Sequence, residues 1–85
     1  MPKTSKSTGG TDKHYDKFVQ LGLTISYYRR LKGLSQGELA EKVGLSKTHI
    51  GNVEAPGSRT SVSLEALFDI ADALDVPVGK FFDIR

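Results

Sequence analysis

An all-α fold of five short helices is predicted by three observations. Apolar residues recur at helical spacing from Phe18 onward. Serines stand where helix caps belong, at Ser35, Ser46 and Ser63, each just after a leucine or valine. No segment keeps the alternation of a strand, because the one candidate, Val76-Pro77-Val78, is broken by its proline.

The opening stretch, MPKTSKSTGGTDK, holds no apolar residue after Met1 and Pro2. It cannot bury enough surface to offset the entropy of ordering, so residues 1–14 are expected to form a disordered basic tail and residues 15–85 one folded domain. Phe18, Leu21, Ile25 and Tyr28 follow one another at i, i+3, i+7 and i+10, the signature of one helix face. This first helix should run from about Asp16 to Lys32 and stop at Gly33, which can take a left-handed conformation without steric penalty.

Ser35-Gln36-Gly37-Glu38 has the form of a capping box, in which the serine hydroxyl and the glutamate carboxylate each satisfy the other's backbone amide. Leu34 and Leu39 are spaced as the accompanying hydrophobic staple, and Leu39, Ala40 and Val43 form the buried stripe of a second helix. Gly44 ends it. Ser46 caps a third helix at once, with Leu45 and Ile50 as staple and Ile50 and Val53 facing inward. Pro56-Gly57 begins a loop. Val62 and Ser63 repeat the staple and cap, and Leu64, Leu67, Ile70, Ala71 and Leu74 form the expected buried stripe of a fourth helix. Pro77 suits the first turn of a short fifth helix, whose Val78, Phe81 and Phe82 can close the core.

Composition narrows the function. The 85 residues contain no cysteine, which excludes disulfides, thiolate metal sites and cysteine nucleophiles. No apolar run approaches the length of a membrane span, and there is no signal-peptide core, so a cytoplasmic protein is expected. The two histidines, His14 and His49, are far apart, and there is no phosphate-binding glycine loop or HExxH sequence. Asp69, Asp72 and Asp75 recur at helical spacing but read as the solvated face of the fourth helix. Neither enzyme activity nor a cofactor is expected. The charge is polarised, however. Residues 24–60 hold six cations against three anions, and residues 61–85 hold two cations against five anions. A polyanion at the basic side is the partner that this asymmetry favours.

Only Gly44, Leu45 and the capping Ser46 separate the second and third helices. That spacing is too short for antiparallel packing but suits a crossing near 90–120°. It describes a helix-turn-helix, in which one helix lies across a phosphate backbone while the next enters a major groove about 12 Å wide. With Ile50 and Val53 turned inward, Lys47, Thr48, Gly51 and Asn52 fall on the exposed side of the third helix. Lys47 can donate to guanine O6 and N7, Asn52 can pair with adenine, and the Thr48 methyl can pack on thymine. Arg59 in the loop is a candidate phosphate ligand, and Ser46 combines its cap with a possible phosphate contact. Gly51 costs about 1 kcal/mol against alanine in mid-helix, either permitting close backbone approach or simply tolerated.

Residues 21–82 resemble the DNA-binding domain of the lambda repressor/Cro type, the XRE family. The resemblance is carried by Ile25 and Arg29, by GLSQGELAEKVGLS (residues 33–46), by Ile50, Val53 and Glu54, and by LEALFDIADALDVP. Where the family commonly has Glu, a variable residue and then Gly, this chain has Glu54-Ala55-Pro56-Gly57. The resemblance implies a five-helix, lambda-repressor-like transcriptional regulator that reads a double-stranded DNA operator, often as a homodimer. It adds Gln36 as a phosphate or base contact. It also implies a partly exposed Arg29–Glu54 pair, with Arg29 a further candidate for a phosphate. The rival is a protein-interaction module, such as an antitoxin or a switch bound by a protein antagonist. For a dimer, the expected interface is the C-terminal KFFDIR, since Phe81, Phe82 and Ile84 exceed what one short helix needs to close the core.

Overall fold

The computed structural model describes residues 13–57 and 60–82. The expected tail up to Asp12, Arg59 and Ile84 therefore lie outside the described residues. Among the described residues four α-helices follow one another: α1 Tyr15–Leu31, α2 Gln36–Val43, α3 Lys47–Glu54 and α4 Leu64–Leu74. His14, within the expected tail, is the N-cap of α1 and makes no side-chain cap bond.

The other three helices begin as their serines dictate. Ser35 Oγ accepts from Glu38 N at 3.0 Å, and Glu38 Oε1 accepts from Ser35 N at 2.8 Å, completing the capping box. Ser46 Oγ accepts from His49 N at 3.0 Å, and Ser63 Oγ from Ala66 N at 3.1 Å. In each case the residue before the cap (Leu34, Leu45 or Val62) is partly buried against the core, and its staple partner (Leu39, Ile50 or Leu67) is buried within it.

The ends share a device too. α1 stops at Gly33 (φ 79°) with Leu34 N donating to Arg29 O at 3.1 Å, and α2 at Gly44 (φ 72°) with Leu45 N donating to Ala40 O at 2.9 Å. α4 ends the same way on Asp75 (φ 57°), with Val76 N donating to Ala71 O at 3.1 Å. A non-glycine residue held left-handed is uncommon, although aspartate tolerates it better than most. Here the Asp75 carboxylate also pairs with Lys32 at the end of α1.

The expected fifth α-helix is instead a 3₁₀ helix, Val78–Phe82. Its first bond runs from Lys80 N to Pro77 O at 2.9 Å, three residues back. A 3₁₀ coil is the usual form of a single short turn, and it suffices to bury Phe81 fully, its ring 6.3 Å from that of Tyr28. A second expectation also fails. Leu64, assigned to the buried stripe of α4, is 61% exposed. It is the first residue of the helix, and the preceding staple residue Val62 packs on the core in its stead. The remaining core joins Leu21 and Ile25 of α1, Leu39 and Ala40 of α2, Ile50 and Val53 of α3, and Leu67, Ile70, Ala71 and Leu74 of α4. No helix among the described residues is long and apolar enough to cross a membrane.

Candidate nucleic-acid interface

The short α2–α3 turn fixes which side of α3 faces out. Ile50 is completely buried and Val53 nearly so, which anchors one stripe in the core. Lys47, Thr48 and Asn52 are exposed, Gly51 between them is half-buried, and Ser46 is exposed with its hydroxyl committed to the cap. His49 is half-buried. One side of α3 thus presents a cation, a threonine with its methyl and hydroxyl, and a carboxamide above bare backbone. All three groups can address base edges.

Arg29 and Glu54 form a buried, bidentate pair rather than the partly exposed one expected. Arg29 Nε donates to Glu54 Oε2 at 2.7 Å and Nη2 to Oε1 at 3.0 Å, and the two residues are 7% and 6% exposed. Donating these hydrogen bonds to Glu54 raises the arginine pKa above its ordinary value. Arg29 Nη1 donates to Leu34 O at 2.7 Å, so the guanidinium also grips the chain between α1 and α2. Gln36 joins from α2, its Nε2 donating to Glu54 Oε1 at 3.0 Å. One carboxylate at the end of α3 therefore holds side chains from α1 and α2, which sets the attitude of the exposed face.

A glycine permits the close crossing of α1 and α3. A β-carbon on Gly22 of α1 would stand 2.2 Å from Val53 O and 3.2 Å from Glu54 Cα, so α1 and α3 touch backbone to backbone there. On the α2–α3 side a β-carbon would meet only ordinary contacts. The nearest atom to a β-carbon on Gly37 would be Lys47 Cδ at 3.8 Å, and on Gly51 it would be Gln36 Oε1 at 3.4 Å. The half-buried Gln36 thus reaches the α3 surface across Gly51. Sequence reasoning did not single out Gly22, nor the hydroxyl of Tyr15, which donates to Pro56 O and ties the start of α1 to the loop after α3. A glycine inside an otherwise helical pattern was the available signal for the first. Among the described residues, no group of three or more His, Cys, Asp or Glu is placed to hold a metal ion.

Known proteins share this fold. A helix-turn-helix family model matches residues 25–81. The HTH-type transcriptional regulator SinR of Bacillus subtilis (strain 168) is 36% identical over 63 residues, which are 74% of this chain and 56% of SinR. The control protein C.SmaI of Serratia marcescens is 40% identical over 60 residues, covering 71% of this chain and 69% of that protein. The chain thus spans little more than half the length of SinR. Among solved structures, the restriction-modification controller protein C.AhdI from Aeromonas hydrophila superposes with a TM-score of 0.71 at 35% identity, covering 76% of this chain and 96% of that one. SinR, solved in complex with DNA, superposes with a TM-score of 0.68 at 36% identity, covering 74% and 98%. With its capped α2 and α3 joined through Gly44, this chain belongs to the XRE-type helix-turn-helix family.

Proposed function

We propose that this chain is a sequence-specific double-stranded DNA-binding transcriptional regulator that inserts α3 in a major groove, acting most simply as a repressor that blocks promoter access. The observation that carries the reading is the exposure of Lys47, Thr48 and Asn52 together on α3 while Ile50 and Val53 anchor its other side. The structural likeness to SinR, a protein solved with DNA bound, supports it. Gln36 and Ser46 flank this face, and Arg59, five positions after α3 in the sequence, is assigned a phosphate contact.

The protein is also read as a homodimer, because one helix-turn-helix spans too few base pairs to mark a site among about 10⁶ or more genomic competitors. Two-fold pairing would set half-sites about 34–36 Å apart. Phe82, 53% exposed beside the fully buried Phe81, supports the C-terminal segment as the contact.

Selection of bound duplexes from a random library tests the recognition helix. Asn52→Ala is expected to relax one position of the selected sequence by about 1–3 kcal/mol. A selected sequence identical to that of the parent would remove α3 as the reading element. Failure of the parent to retain any duplex at low salt would favour a protein-interaction role instead.

A further inference from the structure

The first helix, α1, is apolar on two sides. Leu21, Gly22, Ile25 and Arg29 are buried, and through Gly22 and Arg29 this side meets α3. On the other side Leu23, Tyr27 and Leu31 are 46%, 58% and 66% exposed, and with Ser26 and Arg30 they line an open groove. Tyr27 is braced there by the edge of Tyr28, with 5.1 Å between ring centres. A surface helix ordinarily keeps its apolar residues to one side, and a helix apolar all round is one covered all round. Asp16, Leu23 and Arg30 recur every seven residues along the outer side, with Val19 and Tyr27 beside them. That repeat is the one found in a seam between two paired helices.

The seam is self-complementary about Leu23. When it is laid antiparallel on a second copy with Leu23 facing its own counterpart, position 16 faces position 30 and position 19 faces position 27. Asp16 then meets Arg30 of the second copy and Val19 meets its Tyr27, and by symmetry each pair occurs twice. A parallel arrangement would instead set Asp16 on Asp16 and Arg30 on Arg30. Both charged residues are exposed, and neither forms an ion pair among the described residues. We propose that the outer side of α1 is a docking surface for a second copy of this chain, paired antiparallel about a two-fold axis at Leu23. It uses no residue of α3, and none of the C-terminal segment assigned above to the homodimer, so it joins such dimers to one another. A few side chains from each copy fall short of the roughly 20–30 residues of a stable interface, so the contact is weak and grows with concentration.

Because the chain has no cysteine, a single introduced thiol reports the contact. Leu23→Cys and Leu31→Cys both replace exposed side chains, and each is first checked for folding by circular dichroism. Both are then treated with diamide at high micromolar protein concentration. At the axis two thiols come within disulfide reach, whereas two copies of position 31 would stand about 24 Å apart at 1.5 Å per residue. Leu23→Cys is therefore expected to cross-link roughly tenfold faster or more. Within Leu23→Cys, adding either Asp16→Arg or Arg30→Asp sets like charges together and should slow cross-linking several-fold. Mixing those two double variants in equal amounts restores attraction at both ends of the seam. Cross-linking should then recover, with one chain of each kind in the product, a recovery that altered folding of either chain does not produce. Equal rates at positions 23 and 31 would overturn the proposal, as would Leu23→Cys cross-linking indifferent to both charge substitutions. A Leu23→Cys protein that forms no cross-link overturns it too, and leaves this side of α1 to a different partner. None of these measurements involves DNA, so failure here is separate from failure of the regulatory reading.

Discussion

Arg29 and Glu54, 25 positions apart, meet through two hydrogen bonds of 2.7 and 3.0 Å in a place almost closed to solvent. A surface pair of this kind contributes about 0–1 kcal/mol, but a buried pair stripped of one partner leaves a charge that water cannot reach. Glu54→Ala is expected to destabilise the domain by about 3–5 kcal/mol, measured by urea unfolding. The double variant Arg29→Met, Glu54→Met should be far less damaged than the two single losses added together. A Glu54→Ala loss below 1 kcal/mol would show that water relieves the stranded guanidinium.

Gly22→Ala should be disruptive although alanine is the better helix former. Alanine favours a helix by about 1 kcal/mol over glycine, but here its methyl would drive into the backbone of Val53 and Glu54. Because neither helix backbone can give way locally, a net loss of about 1–3 kcal/mol is expected. Gly37→Ala, which meets only ordinary contacts, serves as the control and should be neutral or stabilising. Matching melting temperatures for the two variants would refute the close crossing.

Acid should weaken the fold partly through two carboxylates. The Glu38 carboxyl is held below the usual range, first by the Ser35 backbone amide and then by the Ser35 side chain, and the Asp75 carboxyl by Lys32. With folded pKa values below the unfolded ones, their contribution is present above the unfolded values and lost as pH falls through the folded ones. Glu38→Gln can keep a hydrogen bond to Ser35 but does not titrate. Its melting temperature should fall less steeply between neutral and acid pH than that of the parent. An identical acid limb in both would mean that the charge on Glu38 contributes nothing to stability.

Salt should weaken DNA binding steeply, with a log–log slope of about −0.9 for each neutralised phosphate. Removing residues 1–13 takes away Lys3, Lys6 and Lys13. The shortened protein is expected to bind more weakly with a shallower slope. Fluorescence anisotropy across a salt series reads this directly, and an unchanged slope would exclude these lysines from the interface.

Assembly is checked by sedimentation at micromolar concentration. A dimer is expected for the parent, with Phe82→Ser and Ile84→Ser shifting it toward monomer and weakening operator binding together. Phe81→Ser is not a usable probe, since it would open the core. A mass and an affinity indifferent to both Phe82→Ser and Ile84→Ser would exclude the C-terminal segment as the contact.

Much of this was legible within a few residues of chain. The serine caps and the staples at Leu34, Leu45 and Val62 are signals read across four or five positions. So are the glycine stops at Gly33 and Gly44 and the inward turn of Ile50 and Val53. The hydrogen bonds and periodicities that produce them are themselves that local. From these alone followed the helix-turn-helix and the side of α3 that carries Lys47, Thr48 and Asn52.

Tertiary structure decided what depends on distant partners. The left-handed Asp75 meets Lys32, 43 positions earlier in the chain, and Gln36 meets Glu54 across 18 positions. Gly22 is explained only by the backbone of Val53 lying on it. Leu64 fits an apolar stripe yet stands outside the core, and Phe81 and Phe82, identical in chemistry, divide into one buried ring and one exposed. Periodicity tells which residues share a side of a helix. How deeply that side is covered, and whether two backbones touch, is set by the packing of elements that the local pattern does not locate.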